Sequence, residues 1–477
     1  MTRTLMAALG SLALALALGA SGGSAADDER TNAEVSSTDY AKALRFRTMF
    51  GLEADQALIL RAETDPDYST DLYGVPLSAH EQRELQRRVG VEMSSRDAVK
   101  WASGESSFGG WYIDQLDRGA PVFLFKADSA DLAAKREILE SKLADDTGFR
   151  IRHVDLSMND LQAIRVRIDS ATDELIASGI ALVSTAIHVS ANRVKVGVQD
   201  LTETEAKLLT AQFGDSLEIH EDTPGQFDAC SGSTGTNNCR PMKGGLSIVK
   251  NGTGGNECTS GFVVRRSQHN EALAILTAGH CIINSFGETE PTETVWNHNG
   301  NRFGETKYQT WEDGENDDKL GDVGIIELDT TEAEDLDAAN KLWIYNGSSG
   351  ATYTVTDYAL ANEQTEGVQL CAYGTNSNDS ACVSVSDFDE RHTSPRTING
   401  VTVTKWIAHT NEFPLDMVSG DSGGPIYQVI NSTQRRALGT HVHSTSTYSW
   451  YTPFTWGQAA YTLETPDDYV LCMDSNC

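Results

Sequence analysis

The chain has 477 residues, with 69 acidic side chains against 37 basic ones, a formal net charge of −32, and eight cysteines. That acidity argues against nucleic acid or an anionic membrane as partner, and suits a soluble protein whose copies repel one another. The length exceeds one typical core and leaves room for two or three domains.

The first 26 residues read as a secretory signal. Arg3 supplies the positive end, Leu5 to Leu18 an Ala/Leu-rich apolar stretch, and Ser24-Ala25-Ala26 a small-residue cleavage site. The stretch is too short and wrongly flanked for a membrane anchor, and no other run approaches a bilayer span. A buried N-terminal helix is the alternative. Residues 27 to about 225 are charged and helix-rich. Ser78-Ala79-His80-Glu81 is a capping box that opens a helix through Arg88, and Thr202-Glu203-Thr204-Glu205 opens another through Gln212. Short apolar runs at Val122–Phe125, Phe149–Val154, Val194–Val198 and Leu217–His220 lie around them. The resulting strand–helix–strand pattern at about 120–155 and again at 192–220 predicts two small α/β units.

All eight cysteines lie at Cys230 or later, at 230, 239, 258, 281, 371, 382, 472 and 477. An even count in an exported chain points to disulfides rather than zinc or redox chemistry. Composition also shifts at Cys230. Gly, Ser, Thr and Asn become dense, and strand-like runs such as Gly261–Arg265, Ala272–Thr277, Val323–Leu328 and Val401–Ile407 follow at short intervals, which predicts an all-β domain. Four sequons, at Asn251, Asn346, Asn378 and Asn431, fall in this half. The acidic run Asp313-Gly314-Glu315-Asn316-Asp317-Asp318 has carboxylates suited to a hard cation, but its spacing does not complete an EF-hand loop, so a solvated turn is expected.

Three segments carry the chemistry. Leu276-Thr277-Ala278-Gly279-His280-Cys281 comes first, Gly321-Asp322-Val323-Gly324-Ile325-Ile326 second, and Gly420-Asp421-Ser422-Gly423-Gly424-Pro425 third. Singly, each reads as a glycine turn or a core histidine. Together and in this order they resemble the catalytic segments of the chymotrypsin-fold serine proteases. Cys258-Thr259-Ser260-Gly261-Phe262 ahead of the histidine, and Cys371 followed eleven residues on by Cys382, resemble the streptogrisin and alpha-lytic branch. The amino-terminal half, including Phe108-Gly109-Gly110-Trp111-Tyr112-Ile113-Asp114, is similar to that branch's long pro-region in position, size and pattern. The resemblance implies a signal at 1–26, an α+β pro-region at 27–225 acting in cis as folding catalyst and inhibitor, and a mature domain at 226–477. The mature domain is expected to be all-β, two six-stranded Greek-key barrels. A secreted, monomeric endopeptidase acting on protein or peptide substrates, without cofactor or metal, follows.

In that scheme Ser422 is the nucleophile, His280 the base that takes its proton and later returns it to the leaving amine, and Asp322 the group that fixes the imidazole tautomer. The amides of Gly420 and Ser422 form the oxyanion hole in a turn that glycine adopts cheaply. Asp421 is structural, and the branch pairs it with an internal arginine not identifiable here. Cys258–Cys281 and Cys371–Cys382 are the implied bridges. The remaining four cysteines allow three pairings, of which Cys230–Cys239 and Cys472–Cys477 are the local ones.

The specificity pocket gives a divided signal. Asp416, six residues before the nucleophile, stands where trypsin-like members carry the carboxylate that receives Lys or Arg. His441, Ser419 and Ser444 match positions that glutamyl endopeptidases use for an acidic P1 side chain, and the balance favours acidic P1. The family's usual cysteine just before the nucleophile loop is missing from Glu412-Phe413-Pro414-Leu415-Asp416-Met417-Val418, which leaves the path of that loop open. His441 and His443 share a strand face. A zinc pair is the alternative for them, without an evident third ligand. A non-catalytic binding protein on the same scaffold is the alternative from another functional class.

Overall fold

The structure is a computed structural model that describes residues 37–126, 129–143, 148–222, 242–250, 257–266, 272–283, 294–298, 301–311, 321–329, 341–345, 350–377, 379–398, 401–464 and 468–473. The signal segment, the acidic run 313–318, the sequons at 251, 346 and 378, and Cys230, Cys239 and Cys477 lie outside these residues.

The amino-terminal part begins with helix α1 (Ser37–Met49), whose Phe46 meets Phe50 one turn on with ring centroids 4.6 Å apart. Helix α2 (Ala79–Ser94) opens on the Ser78 capping box, with Ser78 Oγ accepting from the Glu81 amide and Glu81 returning to the Ser78 amide; it runs two turns or so past Arg88. Strands β1 (Phe108–Asp114), β2 (Ala120–Phe125) and β3 (Arg150–His153) form one small sheet. β2 and β3 are parallel, joined through helix α3 (Ser129–Glu140). After helix α4 (Met158–Ser170), strands β4 (Leu182–His188), β5 (Arg193–Val198) and β6 (Leu217–Glu221) follow. β5 and β6 are also parallel, and the helix between them, α5 (Glu203–Phe213), opens on the Thr202 capping box.

The second half contributes β7 (Ser247–Lys250), β8 (Glu257–Thr259), β9 (Val263–Arg266), β10 (Leu273–Thr277), β11 (Val295–His298), β12 (Asn301–Gln309) and β13 (Gly324–Leu328). Next come β14 (Lys341–Tyr345), β15 (Gly350–Tyr358), β16 (Gln369–Gly374), β17 (Asp379–Ser384), β18 (Asp387–Ile398) and β19 (Val401–Phe413). β20 (Pro425–Val429), β21 (Gln434–Ser444), β22 (Ser449–Pro453) and β23 (Tyr469–Leu471) complete the set. An eight-stranded sheet runs β8-β7-β11-β12-β13-β10-β9-β23, and a twelve-stranded sheet runs β17-β16-β20-β21-β22-β19-β18-β4-β5-β6, with β15 on β21 and β14 on β15.

This corrects the expected fold class. Two six-stranded all-β barrels confined to residues 226–477 are not what forms; the chain is mixed α/β throughout. One sheet has eight strands, and the other continues from the second half into the amino-terminal part. Helical segments also occur late in the chain, at Gly279–Ile282 and Phe454–Glu464. The physical reason lies in β18. A twelve-residue strand at the end of a sheet presents a row of unpaired amides and carbonyls, and such an edge demands cover. β4 supplies it in antiparallel register, Phe388 opposite Ile187, Arg391 opposite Thr185 and His392 opposite Ser184.

The apolar cores cross the same boundary. Ala43, Phe46 and Phe50 of α1 belong to one cluster with Phe262, Leu276, Ile325 and Tyr427. Trp111 and Phe123 of the small sheet belong to another with Leu370, Phe413 and Leu438. The amino-terminal part therefore buries its apolar faces on the second half rather than only on itself. Among the described residues no helix is long and apolar enough to cross a membrane.

Candidate active site

Asp322 follows Gly321, whose φ of +85° and contact with the Thr452 side chain leave no room for a larger residue. The Asp322 amide donates to Thr452 Oγ1 at 3.0 Å, which fixes the backbone. Its carboxylate has no solvent exposure, and both oxygens face one histidine. Oδ1 accepts from the His280 amide at 2.9 Å, and Oδ2 lies 2.7 Å from His280 Nδ1. A carboxylate at Nδ1 holds the proton there and leaves Nε2 as the basic nitrogen. His280 sits on the short helical turn that follows β10 and is tied down by the Cys258–Cys281 disulfide. Gly279 is required: a Cβ there would stand 2.7 Å from Asp322 Oδ1.

Ser422 is also fully buried, in the turn before β20. Its carbonyl accepts from the Thr259 amide at 2.8 Å and lies 3.8 Å from Cys281 Sγ, so the turn rests against the disulfide that anchors His280. Its hydroxyl donates to the Val442 carbonyl at 3.3 Å. Gly420 and Gly423 have φ of +95° and +83°. A side chain at Gly420 would run into Asn376, which itself donates to the Ser419 carbonyl at 2.6 Å. The Asp421 carboxylate pins the turn by accepting three backbone amides, from Asn376 (2.9 Å), Ser377 (3.0 Å) and Val418 (2.9 Å). Burial pushes the Asp421 pKa up, while those amides and nearby His441 pull the other way. The arginine partner implied for Asp421 is not present among the described residues; backbone donors take its place.

The turn is clasped to β21: the Gly423 amide donates to the His441 carbonyl, and the His441 amide to the Gly424 carbonyl, both at 2.8 Å. The buried His441 ring meets the Trp450 carbonyl through Nδ1 at 3.1 Å and stands edge-on to Phe413. Ser444 Oγ donates to the Met417 carbonyl at 2.8 Å. The Ser419 hydroxyl is buried without a hydrogen-bond partner. Asp416 stands apart. It is exposed, its charge acts on Arg45 of α1, and it lines a cleft of about 600 Å³ with Lys42, Arg45, Leu415 and Met417.

Sequence reasoning missed His392. A register shift between His441 and His443 turns His443 onto β22, where it stacks on Trp450 at 4.8 Å, and the His392 ring packs against both, 4.0 Å from His443 and 5.4 Å from Trp450. His392 Nδ1 meets Thr410 Oγ1 at 3.1 Å. Burial lowers the His392 pKa to about 3 and that of His443 well below its ordinary value, so both are neutral in ordinary media. His392 lies some fifty residues from His443, in a strand whose other charged residues form no motif with it, and no local signal marks it.

The Cys258–Cys281 and Cys371–Cys382 bridges are both present. Cys472 is disulfide-bonded too, to a partner outside the described residues. Among the described residues no group of three or more His, Cys, Asp or Glu is placed to hold a metal ion.

No protein-family model matches the chain, and no curated protein sequence matches it. Solved serine proteases are distantly similar over about half of it. Thermobifida fusca protease A has 16% identity and a TM-score of 0.31, covering 48% of this chain and 98% of its own. Cellulomonas bogoriensis chymotrypsin has 16% identity and a TM-score of 0.32, covering 48% and 98%. A glutamic acid-specific serine protease with a histidine triad in substrate binding has 20% identity and a TM-score of 0.32, covering 46% and 98%.

Proposed function

We propose that the chain is a secreted serine endopeptidase of the streptogrisin and alpha-lytic type, made as a precursor whose signal (1–26) and amino-terminal segment (27 to about 225) are removed. The observation that carries this is the grip of both Asp322 oxygens on His280 beside the glycine-built turn of Ser422. Ser422 Oγ attacks the scissile carbonyl while His280 Nε2 takes its proton. The amides of Gly420 and Ser422 receive the oxyanion, and the protonated imidazole returns its proton to the leaving amine. Water then repeats the sequence on the acyl-enzyme. In the precursor the Ser422 hydroxyl is turned to the Val442 carbonyl, so activation includes its rotation toward His280. A fluorophosphonate probe tests the assignment: the mature protein labels at Ser422 and Ser422→Ala does not. Absence of labelling on a folded mature protein favours a non-catalytic binding protein instead.

For P1 the geometry favours an acidic side chain. His441 and the partnerless Ser419 hydroxyl lie beside the nucleophile turn and can donate to a carboxylate, while Ser444 Oγ would have to turn from the Met417 carbonyl to join them. Exposed Asp416 faces α1 rather than that group, which weighs against Lys or Arg specificity.

The amino-terminal segment fits the part of a removable template. Its contacts with the second half include many that are polar and charged: Arg96 with Glu363, Arg165 with Asp389 at 2.8 Å, Glu92 with Gln428, and Gln115 with the Gly367 carbonyl at 2.7 Å. Polar contacts of this kind leave wettable surface where they part, whereas the apolar clusters shared with the segment do not.

A further inference from the structure

The joint between β18 and β4 carries more charge than a sheet interior tolerates. Asp387 and Glu390 of β18 and Glu412 of β19 are 3%, 2% and 5% exposed. One cation from across the joint enters among them: Lys195 of β5, whose ammonium pairs with Asp387 and lies 3.9 Å from Glu412 Oε1. That Glu412 oxygen is buried without a hydrogen-bond partner. Glu390 Oε2 accepts from the Trp450 indole of β22 at 2.7 Å. Asp387 and Glu412 stand opposite each other across β18 and β19, so two buried carboxyls share one ammonium, and a proton on one of them relieves their repulsion. From β6, Asp222 and His220 face the same group. Asp222 is held by Ser184 Oγ at 2.5 Å, and His220 lies 3.8 Å from Asp222, its pKa lowered by burial and by Lys195. At the end of β4 beside Asp387, His188 feels that carboxylate but is paired with Glu218 and Glu366.

We propose that Asp387, Glu390 and Glu412 form an ammonium-binding cage on the second half of the chain, that Lys195 is its occupant while the amino-terminal segment is docked, and that docking holds protons which alkaline medium removes. The inference rests on the amino-terminal segment being separable, as argued above. One lysine cannot balance three buried carboxylates. Burial and the neighbouring acids raise Glu412 to about 8 and Glu390 well above its ordinary value. Once β4 and β5 leave, water reaches the cage and these carboxyls relax toward ordinary values. A carboxyl whose docked pKa exceeds its free one leaves docking intact below the free value and weakens it as pH rises through the docked one. The segment is therefore held in neutral or acidic medium and loosened in alkaline medium.

Hydrogen–deuterium exchange on the full chain carrying Ser422→Ala reads this directly, as protection factors of β4 and β18 amides at about pH 6 and about pH 9. Protection is expected to fall roughly tenfold or more between them, while β13 in the other sheet keeps its own. Glu412→Gln should remove most of that fall, and Lys195→Met should lower protection at both pH values. Equal protection at both pH values, or a Glu412→Gln chain that falls as steeply as its parent, overturns the proposal. Glu412→Gln keeps Lys195, so the test stands even where Lys195→Met misfolds. Because exchange is read on the uncut chain, it also answers if the wild-type protein never sheds the segment, an outcome that intact-mass measurement shows separately.

Discussion

Asp322 has two jobs at once, an acceptor for the His280 amide and an acceptor for Nδ1–H. Asp322→Asn replaces one oxygen by a donor and favours the imidazole tautomer with its proton on Nε2, where it cannot accept from a serine. Turnover of a peptide substrate is expected to fall about ten-thousandfold, with the circular dichroism spectrum retained. Near-parental turnover in that variant excludes His280 as the base. Gly279→Ala probes the same contact from the other side. Its methyl group would displace the Asp322 carboxylate, so both activity and stability should drop, the latter by about 1–3 kcal/mol in urea unfolding. At the pocket, His441→Ala should lower kcat/KM for cleavage after Glu by roughly thirtyfold, the worth of one charge-assisted hydrogen bond of about 2 kcal/mol. Asp416→Ser should leave it unchanged; peptide-library profiling of both variants separates the two P1 assignments.

At the scale of elements, the contact of α2 with β20 carries a buried acid. Glu92 reaches Gln428, its other oxygen is unpartnered, and burial raises its pKa to about 7 from an ordinary 4.5. The folded chain thus binds this proton more tightly than the unfolded one. The associated loss of stability is absent below about pH 4.5 and grows as pH climbs through 7, toward a ceiling on the order of 3 kcal/mol. Glu92→Gln keeps a hydrogen-bonding partner for Gln428 and removes the charge. Melting temperatures of parent and variant should agree near pH 5 and diverge near pH 9, the variant being the more stable. What was legible in the sequence follows the same division between local and distant. The Ser78 and Thr202 caps, the glycine turns at 279, 321 and 420, and the Cys258–Cys281 and Cys371–Cys382 bridges are written in contiguous residues or in marked pairs. The pairing of β18 with β4 joins positions some two hundred residues apart, and neither strand announces its partner. Lys195 meets Asp387 only through that pairing, and His392 meets His443 only through the β18-β19-β22-β21 order within the second half.

For the whole molecule, the shared cores set the expectation. Phe46, Phe50, Trp111 and Phe123 are buried with residues of the second half, and strand β18 has its outer edge covered by β4. Residues from about 223 onward, expressed alone, should expose both the apolar faces and the edge, and should remain molten or aggregate. Adding residues 27–222 in trans should restore native circular dichroism and then, after removal, activity. Spontaneous recovery of full activity without the added segment counts against templating. A sheet dominated by contacts between distant residues gives a slow search, which is the physical ground for a template.

The end of β6 bears on the proposed removal of the amino-terminal segment. Glu221 pairs with Val198, the Asp222 amide donates to the Val198 carbonyl, and the Asp222 side chain is held by Ser184. Between β21, which clasps the nucleophile turn, and β6 there are six strand-to-strand steps, roughly 29 Å along the sheet at ~4.8 Å per step. A peptide bond after Glu221, where an enzyme preferring acidic P1 would cut, lies in a paired strand, six strands along the sheet from the one that clasps the nucleophile turn. Cleavage there then belongs to a second molecule acting on a transiently frayed β6. Its time course should show a lag, shorten when a trace of mature enzyme is added, and have an initial fractional rate that rises in proportion to protein concentration. Mass spectrometry of the new amino terminus across a dilution series checks this; a rate independent of dilution would mean that the strand peels and the chain cuts itself.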